Sequence, residues 1–172
     1  MTHARPPRRM PLEDWFDRLG GLTHVHGNVH RSPLPFTRPH FEQLRKGGIE
    51  VIYSMEHAIP GQLARDMGFD WRPHFWTDDE PPTPAQMGAF LDDLRAVGDE
   101  SPVVVHCKAG WGRTGSAITC ALVDRLGWSA EQALRHYWTR VPPAENVMRA
   151  NGQEAFVRGY AAARSGRGLY VP

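Results

Sequence analysis

The stretch VVVHCKAGWGRTGS, residues 103–116, places a cysteine and an arginine on either side of a glycine-rich loop. Cys107 and Arg113 are separated by five residues, of which Gly110 and Gly112 permit unusual backbone angles. The backbone N–H groups of such a loop can converge on one point, and a helix that begins near Arg113 adds the positive end of its dipole. This pattern predicts a site for a tetrahedral oxyanion such as phosphate, with the guanidinium of Arg113 binding two of its oxygens.

Cys107 is the candidate nucleophile at this site. Positive charge around a cysteine favours the reactive thiolate, and a thiolate at the floor of an oxyanion site can attack the phosphorus of a phosphomonoester. The glycines are not followed by Gly-Lys-Ser/Thr, so the loop is not of the nucleoside-triphosphate-binding type. The alternative is a tight turn that holds a buried structural cysteine. The predicted phosphate-binding residues are Lys108, Ala109, Gly110, Trp111, Gly112 and Arg113.

Three acidic residues precede this loop and could supply the general acid that cleavage of a phosphate ester requires. Asp78, Asp79 and Glu80 lie in WTDDEPPTP, residues 76–84. One carboxylic acid on a nearby loop can protonate the leaving oxygen and then activate the water that frees the enzyme. The residue types alone leave open which acid acts, and whether all three are only solvated.

The elements that must position these residues alternate between short strands and amphipathic helices. The apolar run PVVVHC, residues 102–107, is typical of a strand buried on both faces. Thr83 and Gln86 form a capping box that opens the clearest helix, which ends at Gly98. We therefore predict an α/β fold with a central, mostly parallel sheet flanked by helices, and the phosphate loop at the end of a central strand.

The chain divides into three parts by composition. We expect residues 1–20 to form a basic, flexible N-terminal arm, residues 21–165 to form one domain that carries the predicted phosphate site, and residues 166–172 to form a tail. A length of 172 residues suits a single domain with a hydrophobic core. The last helix has uncertain boundaries because Gly152 interrupts it.

Composition excludes several classes of function. The net charge is +1, from 20 basic and 19 acidic residues, so we predict no nucleic-acid partner bound through overall charge. No apolar stretch approaches the roughly 18 residues of a membrane span. The two cysteines lack CxxC or metal-ligand spacing, which favours a reducing compartment, and we predict a cytoplasmic location. His24, His26 and His30 have no carboxylate or cysteine placed to complete a metal site, so we predict neither metal nor cofactor.

The motif HCKAGWGRTG resembles the signature loop of the cysteine-based protein tyrosine phosphatases, in particular the small dual-specificity group. The match is tight over residues 106–116 and looser, in the order of elements, from about residue 25 to 160. The resemblance implies a phosphocysteine intermediate at Cys107 and a phosphate clamp at Arg113. It also implies that the Thr114 hydroxyl eases breakdown of the intermediate and that His106 orders the loop.

The resemblance also bears on the general acid. In this group the acid lies on a loop at this position and is commonly followed by prolines. Aligning Pro81, Pro82 and Pro84 with that pattern selects Asp78, with Asp79 as the alternative. Gln153 is similar to a glutamine that the family sometimes carries near the site in its last helix.

The substrate is indicated by the side chains expected to face outward from the loop. Lys108 would favour an acidic or multiply phosphorylated substrate, whereas Trp111 offers a stacking surface for an aromatic ring or a protein backbone. We predict a protein tyrosine or dual-specificity phosphatase that acts on a phosphorylated protein or a small phosphomonoester. The alternatives are a phosphoinositide or inositol phosphate phosphatase, a catalytically silent phosphate-binding module and, less well supported by the position of Cys120, an arsenate reductase.

Overall fold

A five-stranded sheet lies at the centre of the computed structural model, which describes residues 12–166. The strands are β1 (Thr23–His26), β2 (Val29–Ser32), β3 (Val51–Ser54), β4 (Asp70–Pro73) and β5 (Val103–His106). Their order across the sheet is β1-β2-β5-β3-β4, in which β1 pairs antiparallel with β2 and the other neighbours are parallel. The predicted α/β class with a mostly parallel sheet is confirmed.

Helices cover both faces of this sheet. They are α1 (Leu12–Arg18), α2 (Arg38–Lys46), α3 (Gly61–Asp66), α4 (Pro84–Val97), α5 (Gly112–Leu126), α6 (Ala130–Arg140), α7 (Pro143–Ala150) and α8 (Gln153–Arg164). The predicted capping box opens α4, because Thr83 Oγ1 accepts the Gln86 N–H and Gln86 Oε1 accepts the Thr83 N–H. Gly152, with φ of +72°, separates α7 from α8. Within residues 12–166, no helix combines the length and the apolar composition needed to cross a bilayer.

Strand β5 is the central strand and is buried on both faces. Val103 and Val105 pack in a larger core beneath α4 to α8, whereas Val104 faces a smaller core that includes residues of α2 and α3. This alternation is the period-two pattern of a strand, and it explains why the predicted strand is apolar throughout. His106, the last residue of β5, is therefore held firmly where the phosphate loop begins.

Helix α1 lies within residues 1–20, the stretch assigned to a flexible arm from the sequence. Its Phe16 is only 1% exposed and packs in the smaller core with Phe41 and Leu44. The Phe16 ring also stacks on His40, with 4.7 Å between ring centroids. Folded structure therefore includes residues 12–20, because an aromatic side chain anchors them. Residues 1–11 and 167–172, which hold the rest of the predicted arm and tail, lie outside the described residues.

Candidate active site

The loop between β5 and α5 carries Cys107 at its start, and its first backbone carbonyls are bonded by the surrounding scaffold. The carbonyl of Cys107 lies 3.0 Å from His106 Nδ1, which must donate because a carbonyl only accepts. The carbonyl of Lys108 accepts the Leu34 N–H at 3.0 Å. The C=O and the following N–H of a trans peptide point in opposite directions. The N–H groups of Lys108 and Ala109 therefore face away from these anchors and can bind an anion.

Arg113 is a buried cation whose guanidinium is fixed by four hydrogen bonds and ion pairs. Its Nη1 donates to the carbonyls of Met55 at 3.1 Å and Trp76 at 3.0 Å. Its Nη2 pairs with Glu56 Oε2 at 2.8 Å and with Asp78 Oδ1 at 2.7 Å. Its Nε is buried and has no hydrogen-bond partner among the described residues. The guanidinium is thus held rigidly with one donor available for an oxyanion.

Glu56 is a site residue that the sequence reasoning missed. It follows β3, and its other carboxylate oxygen accepts the His57 N–H at 2.8 Å. Burial alone would raise the pKa of Glu56, but its hydrogen bond and ion pair with Arg113 lower that pKa below its ordinary value. Glu56 therefore stays ionised and orients Arg113. The signal available in the sequence is an acid just after a buried strand, at the edge of the sheet where ligands bind.

Three further predicted residues lie buried around the loop. Cys107 is 4% exposed, and the Thr114 hydroxyl is buried without a hydrogen-bond partner among the described residues. Burial lowers the pKa of His106 to about 4, so its ring is neutral near pH 7. His106 thus orders the loop through a hydrogen bond and not through a charge. The positive charge near Cys107 comes from arginines, one of which is Arg113.

The adjacent acids Asp78 and Asp79 have different partners. Asp78 is 52% exposed at its side chain and pairs with Arg113. Asp79 adopts a φ of +57° and accepts a hydrogen bond from Asn151 Nδ2 at 3.0 Å. The structure therefore brings Asp78, and not Asp79, to the arginine of the phosphate loop.

Gln153 links residues 76–84, which carry the three acidic residues and are called the acid loop here, to the phosphate loop. It is 1% exposed, and its Nε2 donates to the carbonyl of Glu80 at 3.1 Å. Gly112 lies so close that an added Cβ would overlap the Gln153 amide. The Gln153 Oε1 atom is buried and has no partner among the described residues. An amide oxygen beside the phosphate loop can accept a hydrogen bond.

The remaining predicted residues lie in varied surroundings. Lys108 is exposed on the loop, whereas Trp111 is only partly exposed and packs against the larger core. Cys120 is fully buried in that core, where burial raises its pKa well above the ordinary value, so it remains a thiol. The rings of His24 and His30 meet edge to face with centroids 5.1 Å apart. Among residues 12–166, no three His, Cys, Asp or Glu side chains converge as metal ligands.

Comparisons with known proteins identify the family to which the chain belongs. A family model described as "Polymorphic toxin system, DSP-PTPase phosphatase" matches residues 27–127, which include the phosphate loop and the acid loop. The chain belongs to this dual-specificity phosphatase family. It is a small member of the cysteine-based tyrosine phosphatase superfamily, as the loop motif predicts.

Curated relatives share part of their length with this phosphatase. The human dual specificity protein phosphatase CDC14C is 37% identical over 76 residues, covering 44% of this chain and 16% of the human protein. The zebrafish (Danio rerio) protein tyrosine phosphatase domain-containing protein 1 is 30% identical over 140 residues, covering 70% of this chain and 19% of that protein. The chain therefore spans less than a fifth of these two relatives.

Solved structures share the fold. TpbA from P. aeruginosa has a TM-score of 0.69 at 23% identity, covering 85% of this chain and 89% of that one. PTPMT1, solved in complex with PI(5)P, has a TM-score of 0.65 at 16% identity, covering 85% of this chain and 97% of that one. These likenesses establish a dual-specificity phosphatase-like fold.

Proposed function

We propose that this phosphatase hydrolyses phosphomonoesters through a phosphocysteine at Cys107 and acts on phosphotyrosine-containing proteins, with phosphoserine and phosphothreonine as further substrates. The observation that carries the proposal is the ion pair between Asp78 and the buried, fixed guanidinium of Arg113. It brings a carboxylic acid beside the cation that would bind the phosphate. A site that only binds phosphate needs no such acid.

In the first step the Cys107 thiolate attacks phosphorus, so that an S–P bond forms while the P–O bond to the leaving group breaks. The phosphate replaces the Asp78 carboxyl group on Arg113, and Asp78 acts in its protonated form. Asp78 then gives its proton to the leaving oxygen. Arg113 binds phosphate oxygens through the transition state.

In the second step water attacks phosphorus and the S–P bond breaks. Asp78, now a carboxylate, takes a proton from the water, and the buried Thr114 hydroxyl donates to the departing sulfur. The buried Oε1 of Gln153 is available to accept the other proton of the water in a hydrogen bond. Inorganic phosphate leaves, and the thiolate is restored.

The protein substrate is supported by aromatic side chains beside the residues that bind Arg113. Phe75, which is 36% exposed, precedes Trp76 in the chain, and its ring lies 4.0 Å from that of His57. His57 in turn follows Glu56. An exposed aromatic pair of this kind can stack on a phosphotyrosine ring or pack on a peptide backbone. The exposed Lys108 favours the second candidate, a phosphoinositide substrate.

The deciding experiment is hydrolysis of p-nitrophenyl phosphate with EDTA present. We expect activity in the wild type, none in Cys107→Ser, and retained activity in the matched control Cys120→Ser, which removes the other free thiol. Tungstate should still bind Cys107→Ser. A folded wild type that binds tungstate but has no activity would favour a silent phosphate-binding module, and activity that survives Cys107→Ser would overturn the mechanism.

The substrate class is tested next, by comparing kcat/KM for phosphotyrosine and phosphoserine peptides with that for PI(5)P in phosphatidylcholine vesicles. We expect the phosphotyrosine peptide to give the highest value. Preference for the lipid would assign the enzyme to the second candidate. Because the chemistry requires a reduced Cys107, we also propose that the protein acts in a reducing compartment such as the cytoplasm.

A further inference from the structure

Arg31, on β2, is a fully buried cation that lies against the phosphate loop. Only 1% of the residue is exposed. Its guanidinium donates to the carbonyls of Ala109 at 2.6 Å and Gly110 at 3.3 Å, and also to those of Leu19 at 2.9 Å and Gly21 at 3.3 Å. No carboxylate of the described residues pairs with it. A buried charge bonded only to neutral carbonyls is costly, and such a group beside a binding site is a candidate for a functional role.

The two loop carbonyls that Arg31 binds control the direction of two N–H groups. Because the C=O and N–H of a trans peptide point in opposite directions, anchoring the Ala109 carbonyl directs the Gly110 N–H away from Arg31. Anchoring the Gly110 carbonyl directs the Trp111 N–H in the same way. Tyr137 adds a second anchor, since its hydroxyl donates to the Gly110 carbonyl at 2.7 Å. Arg31 and Tyr137 therefore continue the series of anchored carbonyls that begins at the start of the loop.

The loop is also fitted closely to the Arg31 side chain. Gly110 has a φ of +72°, which an L side chain rarely adopts. A Cβ built on Gly110 would overlap both the Arg31 guanidinium and the Ser32 carbonyl. Glycine is thus required at this position by two independent features. The close approach explains how a guanidinium can bind adjacent carbonyls of one tight turn.

Arg31 also supplies positive charge behind the nucleophile. Burial lowers the pKa of its guanidinium, while the nearby Tyr137 and Cys107 oppose that change. A guanidinium nonetheless stays protonated in proteins. His106 is neutral near pH 7 and adds no charge. The field of Arg31 therefore stabilises an anion that binds at this loop.

We infer that Arg31 is a positioning residue for phosphate binding: it aims the N–H groups of Gly110 and Trp111 into the oxyanion site and adds a cation behind the loop. This inference rests on the proposed function, because it assigns a role in binding the phosphate of the substrate. Arg31 is too deeply buried for its side chain to be offered to a substrate. It acts through the backbone of the loop.

The test is the affinity for tungstate, a tetrahedral dianion, measured by calorimetry at a temperature where circular dichroism shows each variant folded. We expect Arg31→Lys to raise the Kd roughly tenfold, since it keeps the charge but loses the planar fork of donors. Arg31→Met should raise the Kd further. Arg125→Lys is the matched control, because Arg125 donates to the Leu94 carbonyl at 2.7 Å and pairs with Asp99 at 2.8 Å. The Kd of this variant for tungstate should equal that of the wild type.

A second variant keeps the inference testable if the Arg31 variants do not fold. Tyr137→Phe removes one hydrogen bond to the Gly110 carbonyl and should weaken tungstate binding by roughly threefold. In steady-state assays the same variants should raise KM for p-nitrophenyl phosphate more than they lower kcat, because ground state and transition state share these contacts.

The outcomes separate this inference from the proposed function. Tungstate affinity equal to the wild type in every folded variant of Arg31 and Tyr137 would overturn the inference. Because tungstate binding needs no turnover, a wild type that binds tungstate but hydrolyses nothing would overturn the proposed function and leave the Arg31 comparison intact. A raised Kd in Arg31→Lys, with Arg125→Lys unchanged, would support a positioning role over a general loss of stability.

Discussion

Asp78 and Asp79 show how neighbouring residues of one type acquire different roles from their partners. Asp78 lies 2.7 Å from Arg113 and is half exposed, so it can meet a substrate. Asp79 takes a left-handed backbone angle and bonds Asn151. Such a conformation is more accessible to Asp than to most other residues with side chains. Asp79 therefore shapes the loop that carries Asp78.

This division leads to a prediction about leaving groups. Asp78→Asn cannot donate the proton, so kcat for phenyl phosphate should fall by roughly a hundredfold or more, and kcat for p-nitrophenyl phosphate, whose leaving group is better, should fall less. Asp79→Asn keeps an oxygen that can accept the Asn151 hydrogen bond, so its kcat for either substrate should fall only a few-fold. Steady-state kinetics on both substrates measure the difference. The larger loss in Asp79→Asn would assign the acid to Asp79.

Whether a residue of the site could be predicted from the sequence depends on how far along the chain its partners lie. Cys107 and Arg113 could be predicted because one short loop carries both, and the adjacent strand and helix are visible in the sequence. Asp78 needed the family resemblance to separate it from Asp79. Glu56 and Arg31 were not predicted. Each reaches the loop only because the strand that precedes or carries it pairs with β5, and nothing in a linear pattern specifies that pairing.

At the scale of elements, the register of three parallel strands builds the site. Ser32 of β2 and Ser54 of β3 both pair with His106, the last residue of β5. The chain segments that leave these strands therefore start at the same edge of the sheet, where parallel strands place their ligands. This register brings Glu56 from one side, and the loop that follows β2 from the other, to the phosphate loop.

The corner between α7 and α8 holds the acid loop through two hydrogen bonds. Asn151 binds the Asp79 side chain, and Gln153 binds the Glu80 carbonyl. Asn151→Ala should loosen the loop that carries Asp78, the proposed general acid, and lower kcat for p-nitrophenyl phosphate about three- to tenfold with little change in KM. Glu145→Gln, which alters only an exposed ion pair of α7 with Arg149, is the matched control.

A double-mutant cycle identifies the cause of this loss. If the Asn151 hydrogen bond to Asp79 carries the effect, Asp79→Ala should lower kcat to a similar extent, and the two substitutions together should cost little more than either one. Additive losses, or a kcat in Asn151→Ala equal to that of Glu145→Gln, would show that the hydrogen bond from Asn151 to Asp79 does not position Asp78.

For the whole molecule, local sequence signals predicted the central helices and strands better than the N-terminal boundary of the folded domain. The capping box at Thr83 and the apolar run of β5 are local, and both marked real elements. Helix α1 was missed because it is only seven residues long and depends on Phe16 packing against residues of α2. A short helix of this kind is stabilised by tertiary contacts, and its own propensity gives little indication of it.

Buried histidine makes the stability of the whole fold depend on pH. Burial lowers the pKa of His106 in the folded state from 6.5 to about 4, so between these values the unfolded chain binds a proton that the folded protein does not. The contribution of His106 to the free energy of unfolding is therefore fully present above about pH 6.5. It falls by about 3 kcal/mol in total as the pH drops toward 4. Lesser burial lowers the pKa of His30 and His136 and acts in the same direction.

Replacing His106 measures how much of the pH dependence of the unfolding free energy comes from this residue. Asn is the suitable replacement, because its amide N–H can donate to the Cys107 carbonyl as Nδ1 does, and it has no proton to gain in this range. Urea unfolding at several pH values between 4 and 7 should give a shallower loss of unfolding free energy in His106→Asn than in the wild type. Carboxylates such as Glu56, whose pKa is lowered, lose their contribution at lower pH and should affect both proteins alike. Equal slopes between pH 4 and 6.5 would mean that His106 accepts a proton in the folded protein, and its role at the loop would then include a charge.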